Sequence, residues 1–378
     1  MEYRIAVLGA KGLPAKGGGE RVVEAIVQKA IQQGFYVTVY GKKDYCKSVN
    51  YGGKFRLVLL KEIKGKHLSG FTFGLFSAFH ALLFGKYNLI HLHYADFGYI
   101  VPLLRLRFKV LVTSHGAEYN RDKWSKFAKL SLKFFEAPFV KYSNVCTSVS
   151  RRLADYYSEK YKKKVHFIPN GTVLEQNFLF DKESSKKYSI PQEGYILFSA
   201  GRIIPSKGCD LLLMANRKLD LKVPLVIVGN MNNDVTYESY LKSLAQSNAR
   251  FVEFIEKKQE LFEIVSNSIF FVLPSTYEAM SMMLLEVASF KKGIVCSDIP
   301  ENYDAIGDNA IFFKSGDWES LADKIEFALK NQSLMDELGG KAYQFVKENR
   351  NWDTITDHYV KLYNCLIQGN HILPNSWV

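Results

Sequence analysis

Short runs rich in Val, Ile, Leu and Tyr alternate along the chain with stretches whose apolar residues recur at helical spacing. In the first half the runs are Tyr3–Leu8, Tyr36–Tyr40, Phe55–Leu60, Asn88–His93, Lys109–Ser114, Asn144–Val149 and Val165–Ile168. They are nearly continuous in apolar residues rather than alternating, as strands buried on both faces are. Helical patterns lie between several of them, as at Glu20–Gln33 and Arg151–Tyr161. In the second half the runs are Tyr195–Ala200, Pro224–Val228, Arg250–Phe254, Ile269–Leu273, Gly293–Cys296 and Ala310–Phe313. Helical patterns follow at Leu211–Lys218, Tyr237–Gln246, Glu260–Ser266, Met283–Phe290, Trp318–Leu329 and Leu334–Glu348. Strand–helix alternation of this kind predicts an α/β protein with two doubly wound, Rossmann-like parallel sheets. The Pro/Asn/Gly break at Ile168-Pro169-Asn170-Gly171 marks the joint, giving domains 1–170 and 171–351. Gln176–Gln192 reads as a loose polar stretch, and Gly369–Val378 as a loose tail.

A length of 378 residues agrees with two domains, and 47% hydrophobic residues suffice for two cores. The longest apolar stretch, Phe71 to Phe84, is too short to span a bilayer and is expected to be a buried helix. Five cysteines stand apart without a CxxC pair, which fits a reducing compartment and gives no zinc site. The opening Met1-Glu2-Tyr3-Arg4-Ile5 runs straight into a strand and lacks a signal-peptide pattern, so a cytoplasmic location is expected. The net charge of +12 conceals an imbalance. Residues 1–170 hold 29 Lys+Arg and 11 Asp+Glu, so +18, and the remainder holds 21 and 27, so −6. The first half is therefore expected to meet something anionic: a membrane surface, a lipid diphosphate or nucleic acid. Arg121–Tyr142 reads as a basic amphipathic helix, with Lys123, Lys126, Lys129 and Lys133 on one stripe and Trp124, Phe127, Leu130, Phe134 and Phe135 as apolar bulk.

Ligands of such sheets bind beyond the carboxyl ends of strands, and the chain's chemical motifs stand there. Two sheets facing each other would leave a cleft between them. Gly9 to Glu20 follows the first strand, and its triple glycine Gly17-Gly18-Gly19 opens a helix, which suits close approach to a phosphate. After the first strand of the second half, Arg202 and Lys207-Gly208 place two cations five residues apart, a clamp for a diphosphate. Glu278 and Glu286 stand eight apart, one in the loop after a strand and one on the next helix. Eight helical residues make just over two turns, so both can address one edge and accept ribose or sugar hydroxyls. On spacing alone, two solvated glutamates are the better reading of that pair. His115 and His91-Leu92-His93 close strands, and with no third ligand at suitable spacing they are read as structure or acceptor contact rather than metal.

In order along nearly the whole chain, these motifs resemble glycosyltransferase family four, a retaining family with the GT-B fold. Gly17-Gly18-Gly19-Glu20 resembles its glycine loop, Thr113-Ser114-His115 one of its strand ends, and Ile168-Pro169-Asn170-Gly171 its interdomain signature. Gly201-Arg202…Lys207-Gly208 and Glu278…Glu286 carry most of the likeness. The block from His115 to Phe127 resembles a subgroup that includes bacterial rhamnosyltransferases. The resemblance implies a donor diphosphate held by Arg202 and Lys207 with Gly18 and Gly19, a ribose held by Glu286, and catalytic roles for Glu278 and His115 at the sugar. It implies backbone contacts to that sugar from Ala279, Met280 and Ser281, although Ala279-Met280 replaces the family's Gly-Phe. The stretch 352–368 resembles the closing helix that packs back on the first domain, which would tie the domains at two points and allow hinge closure.

The expectation is a metal-independent, cofactor-free retaining transferase that uses a UDP-, dTDP- or GDP-linked sugar. The acceptor would be a lipid-linked oligosaccharide of cell-surface polysaccharide synthesis, met at the inner face of the plasma membrane. An epimerase of similar fold and a non-catalytic anionic-ligand-binding relative are the alternatives. A nucleic-acid module explains the basic half but not the second-half motifs.

Overall fold

A computed structural model describes residues 2–15, 17–46, 49–65, 68–116, 126–174, 183–232 and 234–369, with side chains of 126–132 excepted. The chain divides into two compact units, the first formed by 1–170 with the segment from Trp352 onward and the second by Gly171–Asn351.

In unit 1, seven parallel strands lie in the order β3-β2-β1-β4-β5-β6-β7. They are β1 (Arg4–Leu8), β2 (Tyr36–Lys42), β3 (Phe55–Leu60), β4 (Leu89–His93), β5 (Lys109–Ser114), β6 (Val145–Ser148) and β7 (Val165–Phe167). The central strands are buried end to end, because helices cover both faces of a parallel sheet. Helix α1 (Gly18–Gln32) lays Val22, Val23, Ile26, Val27 and Ala30 on one face of the sheet, at the spacing of a single helical stripe. The chain's last described helix, α14 (Trp352–Gln368), returns beside α1 and adds Ile355, Tyr359, Leu362 and Tyr363 to the same core. Lys29 on α1 pairs with Asp353 at 3.3 Å and Asp357 at 3.1 Å on α14.

In unit 2, six parallel strands lie in the order β10-β9-β8-β11-β12-β13. They are β8 (Tyr195–Arg202), β9 (Leu225–Asn230), β10 (Ala249–Val252), β11 (Ser268–Leu273), β12 (Gly293–Ser297) and β13 (Ile311–Phe313). Helices α7 (Cys209–Leu219) and α12 (Trp318–Lys330) seal one face over Phe198, Ile227, Phe270 and Val272.

The strand order thus confirms the expected α/β, doubly wound class twice over. Two expectations need correction. The apolar stretch forms α2 (Leu68–Phe84), but only the face carrying Thr72, Phe73, Gly74, Ser77, Ala78 and Ala81 is buried. Phe71, Phe76, Phe79, Leu83 and Phe84 are exposed, Leu83 and Phe84 by 70% and 71%. A helix apolar all round cannot hide every side when one face alone meets the sheet. No described helix is long and apolar enough to cross a membrane. The polar stretch 176–192 is not wholly loose: Glu183–Lys187 is a helix whose Ser184 donates to the buried Glu263 carboxylate at 2.7 Å. Its residues up to 182 lie outside the described ones.

The basic helix is seen from Lys126 to Tyr142 as α4. Of its apolar residues Phe134 is exposed, whereas Phe135 packs on Tyr99 with ring centroids 4.9 Å apart. Trp124, Lys123 and the side chains of Lys126, Phe127, Lys129 and Leu130 lie outside the described residues, as do most of the rhamnosyltransferase-like block and the tail after Gly369. None of the five cysteines is in a disulfide among the described residues.

Candidate functional site

In both units the strand order reverses beside the first strand, between β1 and β4 and between β8 and β11. At such a switch point the loops leaving the two strands diverge to opposite faces and leave room for a ligand. Most of the residues singled out from the sequence stand at these two points.

In unit 2, Gly208 ends a short turn after β8 at φ +67°, and a Cβ there would lie 2.1 Å from the Pro274 carbonyl oxygen. Only glycine lets the loop after β8 press on the loop after β11. A backbone bond from Thr276 N to Ser206 O, 3.0 Å, ties the same two loops. The contact carries Lys207 to Glu278: Nζ donates to Oε1 at 2.6 Å, and Ser275 Oγ donates to the same oxygen at 2.8 Å. Ser275 is fixed in turn, since Ser297 Oγ at the end of β12 donates to its carbonyl. Glu278 is buried, while Lys207 keeps about a quarter of its side chain exposed, at 24%.

Helix α10 (Met282–Ser289) begins after this loop, with Ser281 as its N-cap: its Oγ accepts from Leu284 N at 3.3 Å. The helix begins at Met282, so the residues from Glu278 to Ser281 are loop. The two-turn argument for a shared edge therefore fails. Glu278 and Glu286 instead belong to separate ion pairs, for Glu286 takes Lys258 at the start of α9 (Lys258–Asn267). Lys258 also lies over the Phe262 ring, 4.9 Å from its centroid. Sequence reading missed Lys258, Ser275 and Ser297. Lys258 stands in Glu256-Lys257-Lys258-Gln259-Glu260, which looks like an ordinary charge run ahead of a helix. Arg202 ends β8 and is exposed, while Met280 is buried.

In unit 1 the corresponding contact is made by Gly9, at φ +91°, whose Cβ would lie 2.1 Å from the His93 carbonyl oxygen. Tyr94 follows β4 at φ +69°, a left-handed conformation that costs a bulky residue strain. The same residue dictates Gly19: a Cβ there would fall 2.0 Å from the Tyr94 hydroxyl oxygen. Gly18 and Gly19 form the first turn of α1, whose leading backbone N–H groups have no partner within the helix and no side-chain cap from Gly17. The Tyr94 ring lies 4.6 Å from that of His115, and His115 Nε2 lies 2.9 Å from His93 Nδ1.

Behind that pair, His91 bonds Tyr363 of α14 through Nδ1 and Thr113 through Nε2, each at 2.7 Å. Burial first, and the neighbouring imidazoles second, hold His91 and His93 well below the usual histidine range, so both are neutral. The histidines therefore form two hydrogen-bonded groups, His91 with Tyr363 and Thr113 and His93 with His115, whose His91 and His93 ring centroids lie 4.0 Å apart. Tyr94, absent from the sequence reading, carries no local signature beyond following His93.

A model described as Glycosyltransferase Family 4 matches residues 16–176, and one described as Glycosyl transferases group 1 matches residues 180–345. The capsular polysaccharide biosynthesis glycosyltransferase CapM of Staphylococcus aureus is 21% identical over 53% of this chain and 54% of its own length. An N,N'-diacetylbacillosaminyl-diphospho-undecaprenol alpha-1,3-N-acetylgalactosaminyltransferase of Campylobacter jejuni is 26% identical over the same shares, 53% and 54%. The chain thus spans about half the length of either relative. A crystal structure of Anabaena HepE in complex with UDP-glucose superposes with a TM-score of 0.76 at 12% identity, covering 96% of this chain and 100% of that one.

Proposed function

Because the chain belongs to the glycosyltransferases of group 1 and family four, we propose that unit 2 binds a nucleotide-sugar whose sugar is passed, with retention, to a lipid-linked glycan of cell-surface polysaccharide synthesis. The observation that carries this reading is Lys207 held on Glu278 between the loops after β8 and β11. A cation and a buried carboxylate side by side at a switch point suit a ligand that is a diphosphate at one end and a polyol at the other.

On donor binding Lys207 leaves Glu278 for the diphosphate, joined by Arg202. Glu278, still anchored by Ser275, then accepts sugar hydroxyls. Glu286, oriented by Lys258, takes the ribose. The N–H groups of Ala279, Met280 and Ser281 face the sugar. In unit 1, Gly18 and Gly19 leave α1 open to a phosphate, and His115 contacts the sugar. The charge that grows on the departing diphosphate is met by cations already in place, which makes transfer metal-independent. The two bacterial relatives, one of capsular polysaccharide biosynthesis and one named for a diphospho-undecaprenol acceptor, favour the acceptor class.

A panel of UDP-, dTDP- and GDP-sugars, followed by thermal shift and by hydrolysis in excess EDTA, tests the donor assignment. One nucleotide-sugar should raise the melting temperature, and the Arg202→Ala, Lys207→Ala double variant should lose that rise. Undiminished turnover in the double variant would overturn the diphosphate assignment. Proton NMR of the first-formed product tests retention, and loss of hydrolysis in EDTA would reject metal independence.

A further inference from the structure

The amino ends of the strands in unit 1, opposite the histidine chain, hold a feature that sugar transfer does not use. The first residues of β1, β2 and β3 are Arg4, Tyr36 and Phe55. Beside them opens a groove of about 560 Å³ lined by four cations, Arg4, Lys54, Arg56 and Lys86. No aspartate or glutamate lines it. None of the four cations forms an ion pair among the described residues, whereas Lys42 at the other end of β2 pairs with Glu62 at 3.3 Å. Arg4 and Lys54 instead lie over the Tyr36 ring, 5.9 and 5.7 Å from its centroid.

Four positive side chains repel one another; the Glu2 carboxylate, which accepts from the Tyr36 hydroxyl at 2.9 Å, offsets that cost only in part, and an anion between them relieves the rest. The aromatic members make the groove more than a charged surface. Tyr87 is anchored from behind, its hydroxyl 3.0 Å from that of Tyr40, which in turn lies 3.0 Å from His80 Nδ1. Phe84 forms the apolar wall, continuous with exposed Leu83 and Phe79 on α2. A five-residue strand is about 16 Å long, so the groove lies roughly that far from the switch point of the same sheet.

We propose that this groove is an anion site separate from the donor site, taking a phosphate ester of two or more negative charges with an apolar or ring-shaped neighbour. Such a ligand is either the headgroup of an acidic lipid, its chains lying along Phe84, Leu83 and Phe79, or a soluble phosphorylated compound. The proposal does not depend on the donor reading, and it is tested in the full chain carrying Arg202→Ala and Lys207→Ala, so that phosphate captured by unit 2 does not contribute. Two probes are used: inorganic pyrophosphate by calorimetry, and phosphatidic acid vesicles against phosphatidylcholine vesicles by flotation.

Arg56→Glu with Lys86→Glu should weaken whichever probe binds by about tenfold or more. The same charge change at the far edge of the sheet, Lys162→Glu with Lys164→Glu, should weaken it by no more than about twofold, since a localised site ignores distant charge. Pyrophosphate binding lost in the groove variant supports the soluble source. Vesicle binding lost there, and also in Leu83→Ala with Phe84→Ala, supports the lipid source. Equal losses in the groove and far-edge variants, or binding of neither probe, would overturn the site. Turnover of a soluble acceptor by the otherwise unaltered chain should be unchanged by the groove substitutions.

Discussion

The two units share one plan and use it differently. In each, a glycine just past the first central strand packs against a carbonyl at the end of the strand where the order reverses: Gly9 on His93 in unit 1, Gly208 on Pro274 in unit 2. What stands at that contact then diverges. Unit 2 brings charged partners there, Lys207 with Glu278, and Lys258 with Glu286 on the helix that follows the Glu278 loop. Unit 1 brings a chain from Tyr363 through His91 to Thr113 and a second pair of His93 with His115, in which burial keeps His91 and His93 neutral. A charged switch point can exchange its internal ion pairs for those of a ligand. A neutral, buried one can only orient a partner through hydrogen bonds and shape. The same scaffold therefore carries ion pairs at one switch point and buried, hydrogen-bonded rings at the other.

The largest expected effect breaks the charged half of this comparison. Replacing Arg202 and Lys207 together by alanine should lower kcat/KM by about a thousandfold or more, since preorganised groups facing developing charge are worth about two to three orders of magnitude each. Steady-state kinetics on the best donor measures it. The thermal transition of unit 1 should stay in place. Next come the glycines. Gly208→Ala and Gly9→Ala each force a Cβ against a carbonyl at positive φ, and each should cost about 1–3 kcal/mol of stability. If the two contacts are equivalent, chemical denaturation will show similar losses. Gly208→Ala should in addition reduce turnover by separating Lys207 from Glu278. Stability of one variant at wild-type level would dissolve the equivalence. A smaller effect is expected from Lys258→Ala. It leaves Glu286 in place but unoriented, so KM for the donor should rise about tenfold with kcat nearly kept. A fall in kcat at constant KM would instead put Lys258 at the reacting centre.

The strands, the helices between them and the loop that carries Lys207 were legible because each leaves a local trace. Continuous Val/Ile/Leu runs report burial on both faces, and Lys207-Gly208 follows directly on a strand. Lys258 left no trace, because its partner is 28 residues away and its surroundings are charged on every side. The spacing of Glu278 and Glu286 misled for a related reason. Ser281 starts the helix, and a cap is recognised by geometry more than by distance along the chain. The exposed side of α2 was equally hidden, since an apolar stretch does not say how many of its faces meet the core. Tyr94 shows the limit most clearly: its strained backbone and its contact with Gly19 exist only once β1 and β4 are neighbours.

Acid sharpens the comparison with the smallest intervention. All eight histidines lie in 1–170 or after Trp352, and 171–351 contains none. Burial holds His91 and His93 well below the usual histidine range, and it also lowers His80, His166 and His358. In the unfolded chain each accepts a proton near pH 6.5. Below that point, and above the folded-state values, the unfolded chain binds more protons than the folded one, so stability rises with pH and is lost on acidification. Each unmatched proton contributes a slope of about 1.4 kcal/mol per pH unit. Unit 2 has no group with this behaviour there. Its lowered carboxylates, Glu260, Glu326 and Asp317, contribute stability above about pH 4 and lose it only below. Between about pH 6.5 and pH 5, unit 1 should therefore weaken while unit 2 holds. Scanning calorimetry across that window should show one transition falling and one standing still, the falling one being that which Leu362→Ala, in the core of unit 1, also lowers. Two transitions that fall together would mean that the histidines are not buried as neutral groups, and with them would go the contrast between a neutral and a charged switch point.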